Sequence, residues 1–421
     1  MMKYAWPLHP KLPVLAAVLV VLVLLFVGAH TRGSVYAAWR MLQIPSTTPL
    51  FADTRTVTHS IDCVARGQDP YVERACDYWR RLYNYPPIWL DARYLGVTSR
   101  SSNLIGTALS ILMVSTLLLL FNARTWISAI IIFFAVTSLS LLFAVERGNI
   151  DQLIFFLLVI GFFWIEHRRT APRVYLSGSL IVLLTVLKIY PIVAATLFLR
   201  HRHGFMKMLL VAVFAIIALF LTSEHRLHAI FANTPQAVDV TFGSYPFFLA
   251  ISQHTVRVWR PIIEADQSIS RIGAILLGSL AVTAGAIYGN RFERFLPNID
   301  FERARGCITV SCLAIFCFAF ISGANFDYRL IFLLGVLAYL VEDINKGLSL
   351  RSLPFAVIIV LLLWKPFRLF LPHELLDGMV FVIASAWLGN SLLSRRVPHP
   401  HSTNNKSSGA PSFASFAKRG M

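Results

Sequence analysis

The chain has 421 residues, of which 57% are apolar and 14% charged, and its mean hydropathy is +0.66. This composition is too apolar for an ordinary soluble enzyme of such length, so it predicts a polytopic membrane protein. The formal net charge of +17 does not indicate a nucleic-acid partner, because the basic residues are scattered between apolar runs without interleaved aromatic residues. The expected partner is the lipid bilayer.

Apolar runs recur along the whole chain. About 20 apolar residues are needed to cross roughly 30 Å of hydrocarbon at 1.5 Å per residue. No strand-like alternation competes with these runs, so we predict an all-α fold with about 11 or 12 transmembrane helices. The first run is long for a signal peptide and "AHTRG" is a poor cleavage site, so we expect an uncleaved anchor. The approximate candidate spans are residues 12–29, 103–121, 125–144, 150–165, 174–199, 207–222, 271–288, 305–321, 329–342, 353–366 and 376–393.

Basic loops predict the orientation. The segments "EHRRTAPR", "RHRHGFMK" and 291–305 are rich in arginine, as is the chain after residue 393, and such loops stay in the cytoplasm. The first two segments share a side only if 174–199 folds into two short helices joined at "LKIYP", where polar residues and a proline interrupt the apolar run. We therefore predict a break at that motif.

This topology divides the chain into one transmembrane unit, 1–394, and a basic tail, 395–421. The tail is rich in serine and proline and is expected to be disordered in the cytoplasm. The first extracytoplasmic loop is predicted at 30–100 and the second at 223–270. The motifs "ERGNID", "LKIYP", "FGSYPFF" and "SGANFDYR" then fall on the same outer side, which predicts an active site at the outer membrane boundary.

Asp53 is the first candidate catalytic residue. It follows the apolar stretch "TTPLFA" without an acidic neighbour before it, which suggests that the chain returns to the membrane surface there. A carboxylate in that position can act as a general base. Most other charged residues between 51 and 89 are equally well explained as a solvated face.

Two cysteines, Cys63 and Cys76, lie outside the predicted spans. On an oxidising outer face they form either a disulfide around Asp69 or two free thiols. The remaining cysteines share one apolar span at a spacing of five residues, which rotates them around the helix, so we interpret them as packing residues. No metal geometry follows from that spacing.

The motif "ERGNID" predicts a turn between two helices. Gly148 permits the turn, Asn149 can cap the following helix, and Asp151 in its first turn favours the helix dipole. The motif either does only this or also contributes Arg147 and Asn149 to a substrate cavity.

Three cations flank the predicted spans: Arg147, Lys188 and Arg329. Each costs about 2.5–3.5 kcal/mol if it faces lipid at mid-membrane, so each needs water, a partner or a ligand. Asp151 lies four residues after Arg147, and Asp327 lies two before Arg329, so internal ion pairs are available. Structural pairing and phosphate contact both remain open.

The order of these motifs resembles a known family. An early outer-loop aspartate is followed by "GQDPY", "NYPPIW", "RGNIDQL", "LKIYP" and "NFDYR". The pattern is similar to polyprenyl-phosphate-dependent glycosyltransferases of the GT-C superfamily, and most of all to glycosyltransferase family 87, which includes bacterial mannosyl- and arabinosyltransferases. The resemblance implies that Asp53 is the catalytic base. The sequence departs from the family pattern at Thr54–Thr56, where aromatic residues are more usual, and in its cysteine pair, a subgroup feature.

The resemblance also implies a reaction. The enzyme would transfer a sugar, with inversion, from a polyprenyl-phosphate donor to a lipid or glycan acceptor of the cell envelope, on the extracytoplasmic face of a bacterial plasma membrane. No metal and no cofactor are expected. The expected substrate-binding residues are Arg147, Asn149, Asp151, Lys188, Tyr190, Asn325, Asp327, Arg329, Asp69 and Tyr85.

Other functions remain open at this stage. A transporter or flippase of lipid-linked sugars is typically built from internal repeats with polar residues near mid-span, and neither is evident here. A polysaccharide polymerase or ligase would also combine many spans with a large outer loop. A catalytically silent relative would only support envelope assembly.

Overall fold

The computed structural model describes residues 8–168, 173–201, 203–223, 226–234, 241–254, 260–292, 294, 296–347, 351–365 and 373–393. The first half of the chain forms α1 (Leu12–Arg32), α2 (Val35–Met41), α3 (Ala52–Ala65), α4 (Ser102–Leu120), α5 (Trp126–Val136), α6 (Leu139–Arg147), α7 (Asp151–His167), α8 (Arg173–Leu187) and α9 (Gly204–Ser223). The second half forms α10 (Leu227–Ala232), α11 (Ser244–His254), α12 (Arg260–Ala265), α13 (Gln267–Ile287), α14 (Gly289–Phe292), α15 (Ala304–Ile321), α16 (Leu333–Asn345), α17 (Ser352–Trp364) and α18 (His373–Leu393). Short 3-10 helices occupy Arg74–Cys76, Pro87–Leu95, Ser99–Ser101, Tyr190–Arg200 and Asp327–Phe332.

The predicted all-α polytopic membrane fold is confirmed. Among the described residues, 7 helices are long and apolar enough to cross a membrane. They are Leu12–Arg32, Ser99–Leu120, Trp126–Arg147, Gly204–Ser223, Gln267–Ile287, Ala304–Ile321 and Glu374–Leu393. The larger predicted number of spans also includes the shorter helices α7, α8, Tyr190–Arg200, α16 and α17, and that number stays a prediction.

Burial separates the helices that face lipid from those that form the core. In the most apolar 18-residue stretch of each helix, 22% is buried inside the protein for α1 and 17% for α9. The corresponding share for α15 is 78%. Leucine and valine side chains on α1 and α9 suit a lipid environment, because lipid tails are as apolar as they are. The central helix α15 packs against α7, α16, α18 and the 3-10 helix Tyr190–Arg200.

Two of the predicted spans are interrupted. The span 174–199 breaks at "LKIYP", as predicted: α8 ends at Leu187 and the 3-10 helix begins at Tyr190. The span 125–144 corresponds to the membrane-length segment Trp126–Arg147, in which a short interruption at Thr137 and Ser138 separates α5 from α6. Both interruptions lie within the bundle, where neighbouring helices can satisfy the freed backbone groups.

The predicted first outer loop is compact. It contains α2, α3 and the 3-10 helices before α4, and the Cys63 and Cys76 sulfurs are bonded, with a Cα–Cα distance of 5.6 Å. The segment before α3 lies on the α6–α7 turn, where the amide of Phe51 donates to the carbonyl of Glu146 at 3.0 Å. The first turn of α3 is thereby held at the end of the bundle.

A two-residue strand pair lies at the same end. β1 (Thr241–Phe242) pairs antiparallel with β2 (Asn325–Phe326), so "FGSYPFF" and "SGANFDYR" meet. The predicted second outer loop, 223–270, contributes α10, β1, α11 and α12, although parts of it lie outside the described residues. The predicted tail, 395–421, lies wholly outside them.

Candidate active site

The α6–α7 turn holds the centre of the candidate site. Gly148 ends α6 with φ +56°, a left-handed conformation that favours glycine. The Asn149 side chain makes two hydrogen bonds. Its Oδ1 accepts from the backbone amide of Asp151 at 2.8 Å, and its Nδ2 donates to Oδ2 of Asp53 at 2.5 Å. The hydroxyl of Thr54 closes the turn by donating to the Gly148 carbonyl at 2.6 Å.

Asp53 lies in the first turn of α3 and is 7% exposed. Its position near the helix N-terminus favours a negative charge. Oδ1 lies 3.4 Å from Nη1 of Arg81, while Oδ2 accepts from Asn149. Two different partners therefore orient the carboxylate that the sequence indicates as a base.

Arg81 connects Asp53 to a second carboxylate. Its Nε donates to Oδ2 of Asp77 at 3.1 Å, and its Nη2 donates to the Ala52 carbonyl at 2.9 Å. Burial alone would raise the pKa of Asp77, but hydrogen bonds from Arg81 and Thr56 favour its charged form more strongly, so this pKa lies below its ordinary value. The guanidinium is fixed beside Asp53 by this network.

Asp151 contacts groups from two other parts of the chain. It is fully buried and contacts the ammonium of Lys188, and its Oδ1 accepts from the Tyr190 hydroxyl at 2.7 Å. Its Oδ2 lies 3.7 Å from Nε of Arg329. The motifs "RGNID", "LKIYP" and "NFDYR" therefore meet at one carboxylate.

A cavity of about 190 Å³ opens beside Asp53. Burial raises the pKa of Tyr85 in its wall well above the ordinary value, and negative charge on Asp53 adds to this, so the phenol stays a neutral hydrogen-bond donor. A carboxylate, guanidinium groups and hydroxyls thus face one space. Its polar and aromatic lining includes Asp53, Arg81, Asn84, Tyr85, Arg147 and Tyr328.

Two arginines, Arg81 and Arg147, line this cavity, and Arg147 has the weaker contacts with carboxylates. Its Nε lies 3.7 Å from the buried Oε2 of Glu146, and neither atom has a hydrogen-bond partner among the described residues. The guanidinium carbon lies 5.1 Å from the centre of the Phe143 ring. An anion that enters the cavity would meet the positive charge of Arg147 in its wall.

The ion pairs differ from those suggested by sequence spacing. Arg147 does not pair with Asp151, because the left-handed turn at Gly148 separates α6 from α7 and removes the four-residue helical relation. Asp327 does not pair with Arg329, because residues two apart on a helix do not face each other. Asp327 instead pairs with Lys365, and Arg329 with Asp151.

Of the ten predicted substrate-binding residues, Tyr85 and Arg147 are among those that line this cavity and the other eight are not. Two of the eight, Asp69 and Asn325, have contacts elsewhere. Asp69 lines another cavity, of about 480 Å³, and its Oδ2 lies 2.6 Å from Nη1 of Arg226. Asn325 lies in β2, where its Nδ2 donates to the Ala319 carbonyl at 2.5 Å and to the Ser322 hydroxyl at 2.8 Å. These bonds hold the segment that presents Tyr328.

Sequence reasoning did not select Arg81 or Tyr328 as site residues, although both lie in quoted segments. The ion pair between Asp77 and Arg81 spans four residues, but these residues are not in a helix, so the spacing alone does not predict it. No local signal marks the contact of Arg81 with Asp53, which depends on how the outer loop folds back. Within the described part of the chain, no group of three histidine, cysteine, aspartate or glutamate side chains is placed to hold a metal ion.

The chain matches a known protein family. Residues 85–341, more than half of the chain, match Glycosyltransferase family 87. This region contains the α6–α7 turn, Lys188, Tyr190 and Arg329, whereas Asp53 precedes it. No curated protein and no solved structure shows significant similarity to the chain.

Proposed function

The chain belongs to glycosyltransferase family 87 and is a membrane glycosyltransferase, and we propose that it is a GT-C type enzyme that uses a polyprenyl-phosphate sugar as donor. The acceptor in this proposal is a lipid or glycan of the cell envelope, and the anomeric carbon is inverted. The observation that carries the proposal is that Asp53 and Arg147 line the same cavity. A base and a phosphate-binding cation are the two groups that such a transfer requires.

Asp53 is the general base in this mechanism. It takes the proton of an acceptor hydroxyl, whose oxygen then attacks the anomeric carbon while the bond from that carbon to the phosphate oxygen breaks. The Asn149 amide and the Arg81 guanidinium orient the carboxylate, which supports this role because a base must be positioned before its basicity matters.

Arg147 is the group that stabilises the departing phosphate. Arg147 lines the cavity, whereas Lys188 and Arg329 contact Asp151 and are not among the residues that line it. We assign Lys188, Tyr190 and Arg329 to positioning the "RGNID" turn. Cationic side chains can neutralise a single phosphate, so the proposed mechanism uses no metal.

The reaction is proposed for the extracytoplasmic face of a bacterial plasma membrane. The Cys63–Cys76 disulfide lies in the same loop as Asp53, and disulfides persist in oxidising compartments. The arginine-rich loops at the other end of the bundle support a cytoplasmic location for that end.

The cavity around Asp69 is proposed to hold the acceptor. It is lined by Asp69, Asp91, Arg226 and the aromatic ring of Tyr71, a combination that suits a molecule rich in hydroxyl groups. The Tyr71 hydroxyl donates to the Tyr85 carbonyl at 2.8 Å, so the wall of this cavity is bonded to the wall of the Asp53 cavity. Asp69→Asn should raise KM for the acceptor more than it lowers kcat.

The decisive experiment uses the purified protein in proteoliposomes with short polyprenyl-phosphate sugars. Asp53→Asn should lower the transfer rate by about 100-fold to 10,000-fold, the usual contribution of a general base. Asp62→Asn, on the same helix but not among the residues that line the cavity, is the matched control. Normal transfer by a folded Asp53→Asn protein would remove Asp53 from the mechanism.

The same assay separates the rival functions. A transferase releases polyprenyl phosphate in proportion to product, whereas a flippase moves the donor across the bilayer without cleaving it. A polymerase or ligase requires a lipid-linked oligosaccharide and would leave the short donors unused. Family membership supports the transferase reading.

A further inference from the structure

Another polar cavity lies at the opposite end of the helix bundle from Asp53. It has a volume of about 500 Å³ and lies between the ends of α4, α7 and α16 and the start of α15. The helix α7 runs from Asp151, at the candidate active site, to this end, so the length of the bundle separates the two cavities. We call the cavity of about 500 Å³ at the start of α15 the basic cavity.

The basic cavity carries more positive than negative charge. The described residues that line it include four cationic side chains but two carboxylates, namely Arg124, Arg303, Arg305 and Lys346 against Glu166 and Glu342. Glu342 is shared by Arg303 at 3.7 Å, Arg305 at 3.3 Å and Lys346 at 3.0 Å. Arg303 also pairs with Asp300 at 3.3 Å, so two carboxylates, Glu342 and Asp300, face three cations and the cluster retains positive charge.

Arg124 adds to this excess. Its backbone amide donates to Oδ1 of Asn345 at 3.0 Å, and Nδ2 of Asn345 donates to the Asn122 carbonyl at 2.6 Å, which fixes the chain at the rim. Within the described part of the chain, the Arg124 guanidinium has no carboxylate within 4 Å. A rigid backbone thus presents an unneutralised cation to the cavity.

The start of α15 strengthens the argument. Arg303 is the N-cap residue of this helix, Arg305 is in its first turn, and the first turn has no acidic residue. Asp300 and Glu302 precede the N-cap, and Asp300 pairs with Arg303. The positive end of a helix dipole disfavours cations such as Arg305, and the first turn itself lacks the negative charge that favours a helix N-terminus. An anionic ligand would supply it.

We propose that the basic cavity binds the phosphate of an anionic membrane phospholipid. Guanidinium groups match the geometry of phosphate oxygens, and basic pockets between transmembrane helices bind anionic headgroups. Phe163 and Val341 supply apolar lining beside the charged groups. The neighbouring lipid-facing helix α1 begins beside Lys11, whose Nζ donates to the Phe121 carbonyl at 3.1 Å. A lipid at this end of the bundle can therefore place its headgroup in the cavity and its tails along an apolar surface.

The test measures lipid binding to the full-length protein in neutral detergent, by native mass spectrometry and by the thermal unfolding midpoint. The probes are phosphatidylglycerol, phosphatidylcholine and inorganic phosphate. Arg124→Gln with Lys346→Gln removes two cavity charges, and each is expected to weaken phosphatidylglycerol binding about fivefold, or roughly 25-fold together. Arg168→Gln with Lys207→Gln removes two charges at the same end but outside the cavity and is the matched control.

Each outcome decides the proposal. Preference for phosphatidylglycerol over phosphatidylcholine, lost in the cavity variant and kept in the control, supports it. Equal binding by the cavity variant and the wild type, or equal loss in the control, overturns it. Inorganic phosphate that raises the unfolding midpoint as much as phosphatidylglycerol does would show a site for soluble phosphate and overturn the assignment to a lipid.

Discussion

Asp151 is the carboxylate on which two largely buried cations depend. It is fully buried, it contacts Lys188, and it lies 3.7 Å from Nε of Arg329. Asp151→Asn preserves the volume of the side chain but removes its charge and replaces one acceptor oxygen with a donor amide. Both cations then stay in a low-dielectric interior without their counter-ion.

The expected cost is large. Removal of one partner from a buried ion pair destabilises a protein by about 3–5 kcal/mol, because the remaining charge is not compensated. With an unfolding entropy of about 2.1 cal/mol/K per residue over 421 residues, each kcal/mol lowers Tm by roughly 1 °C. Asp151→Asn should therefore unfold about 3–6 °C below the wild type.

Thermal unfolding in detergent, followed by intrinsic fluorescence, measures this shift. Adding Lys188→Met to Asp151→Asn removes one uncompensated cation and should recover about half of the loss. Glu264→Gln is the control: its carboxylate pairs with Arg260 at 2.8 Å on the surface, where solvent screens the charges, so its loss should change Tm far less than Asp151→Asn does. If Asp151→Asn unfolds at the wild-type temperature, or if the Lys188→Met change adds a further loss, the buried-pair reasoning is wrong.

Three further predictions concern the loop and the turn. Cys63→Ser opens the disulfide to Cys76, which closes a sequence separation of 13, and should destabilise the protein by about 3 kcal/mol; an unchanged Tm would contradict this. The pKa of Asp77 in the folded protein lies below its ordinary value of 3.8. Charged Asp77 therefore stabilises the folded protein fully above pH 3.8, and this stabilisation is lost as the pH falls through the folded pKa. Asp77→Asn should therefore make Tm fall less steeply as the solution is acidified. Gly148→Ala should cost about 2–4 kcal/mol, since φ is +56° and the new Cβ would lie 2.5 Å from a threonine hydroxyl. Gly33→Ala, at φ +75° with no atom within 4 Å, should cost only the backbone part, about 1–2 kcal/mol, and equal losses at both glycines would exclude the steric contribution.

The sequence alone determined the fold class and several local features. Long apolar runs predict helices that cross a bilayer, because a chain in hydrocarbon must satisfy its backbone hydrogen bonds internally. The break at "LKIYP" and the turn at Gly148 also followed from local chemistry, since proline and glycine act on the backbone at their own positions. The structure has both features where the sequence places them.

Only the tertiary structure decided which charges meet. Asp53 and Asn149 are 96 residues apart and are joined by a hydrogen bond, and Lys365 lies 38 residues from its partner Asp327. Sequence spacing identifies partners only along a continuous helix, where residues three or four apart are neighbours. Between helices, an ion pair forms within about 4 Å, and packing alone sets that distance. The candidate base, its orienting arginine and the cation proposed for phosphate become one site only when the outer loop folds onto the α6–α7 turn.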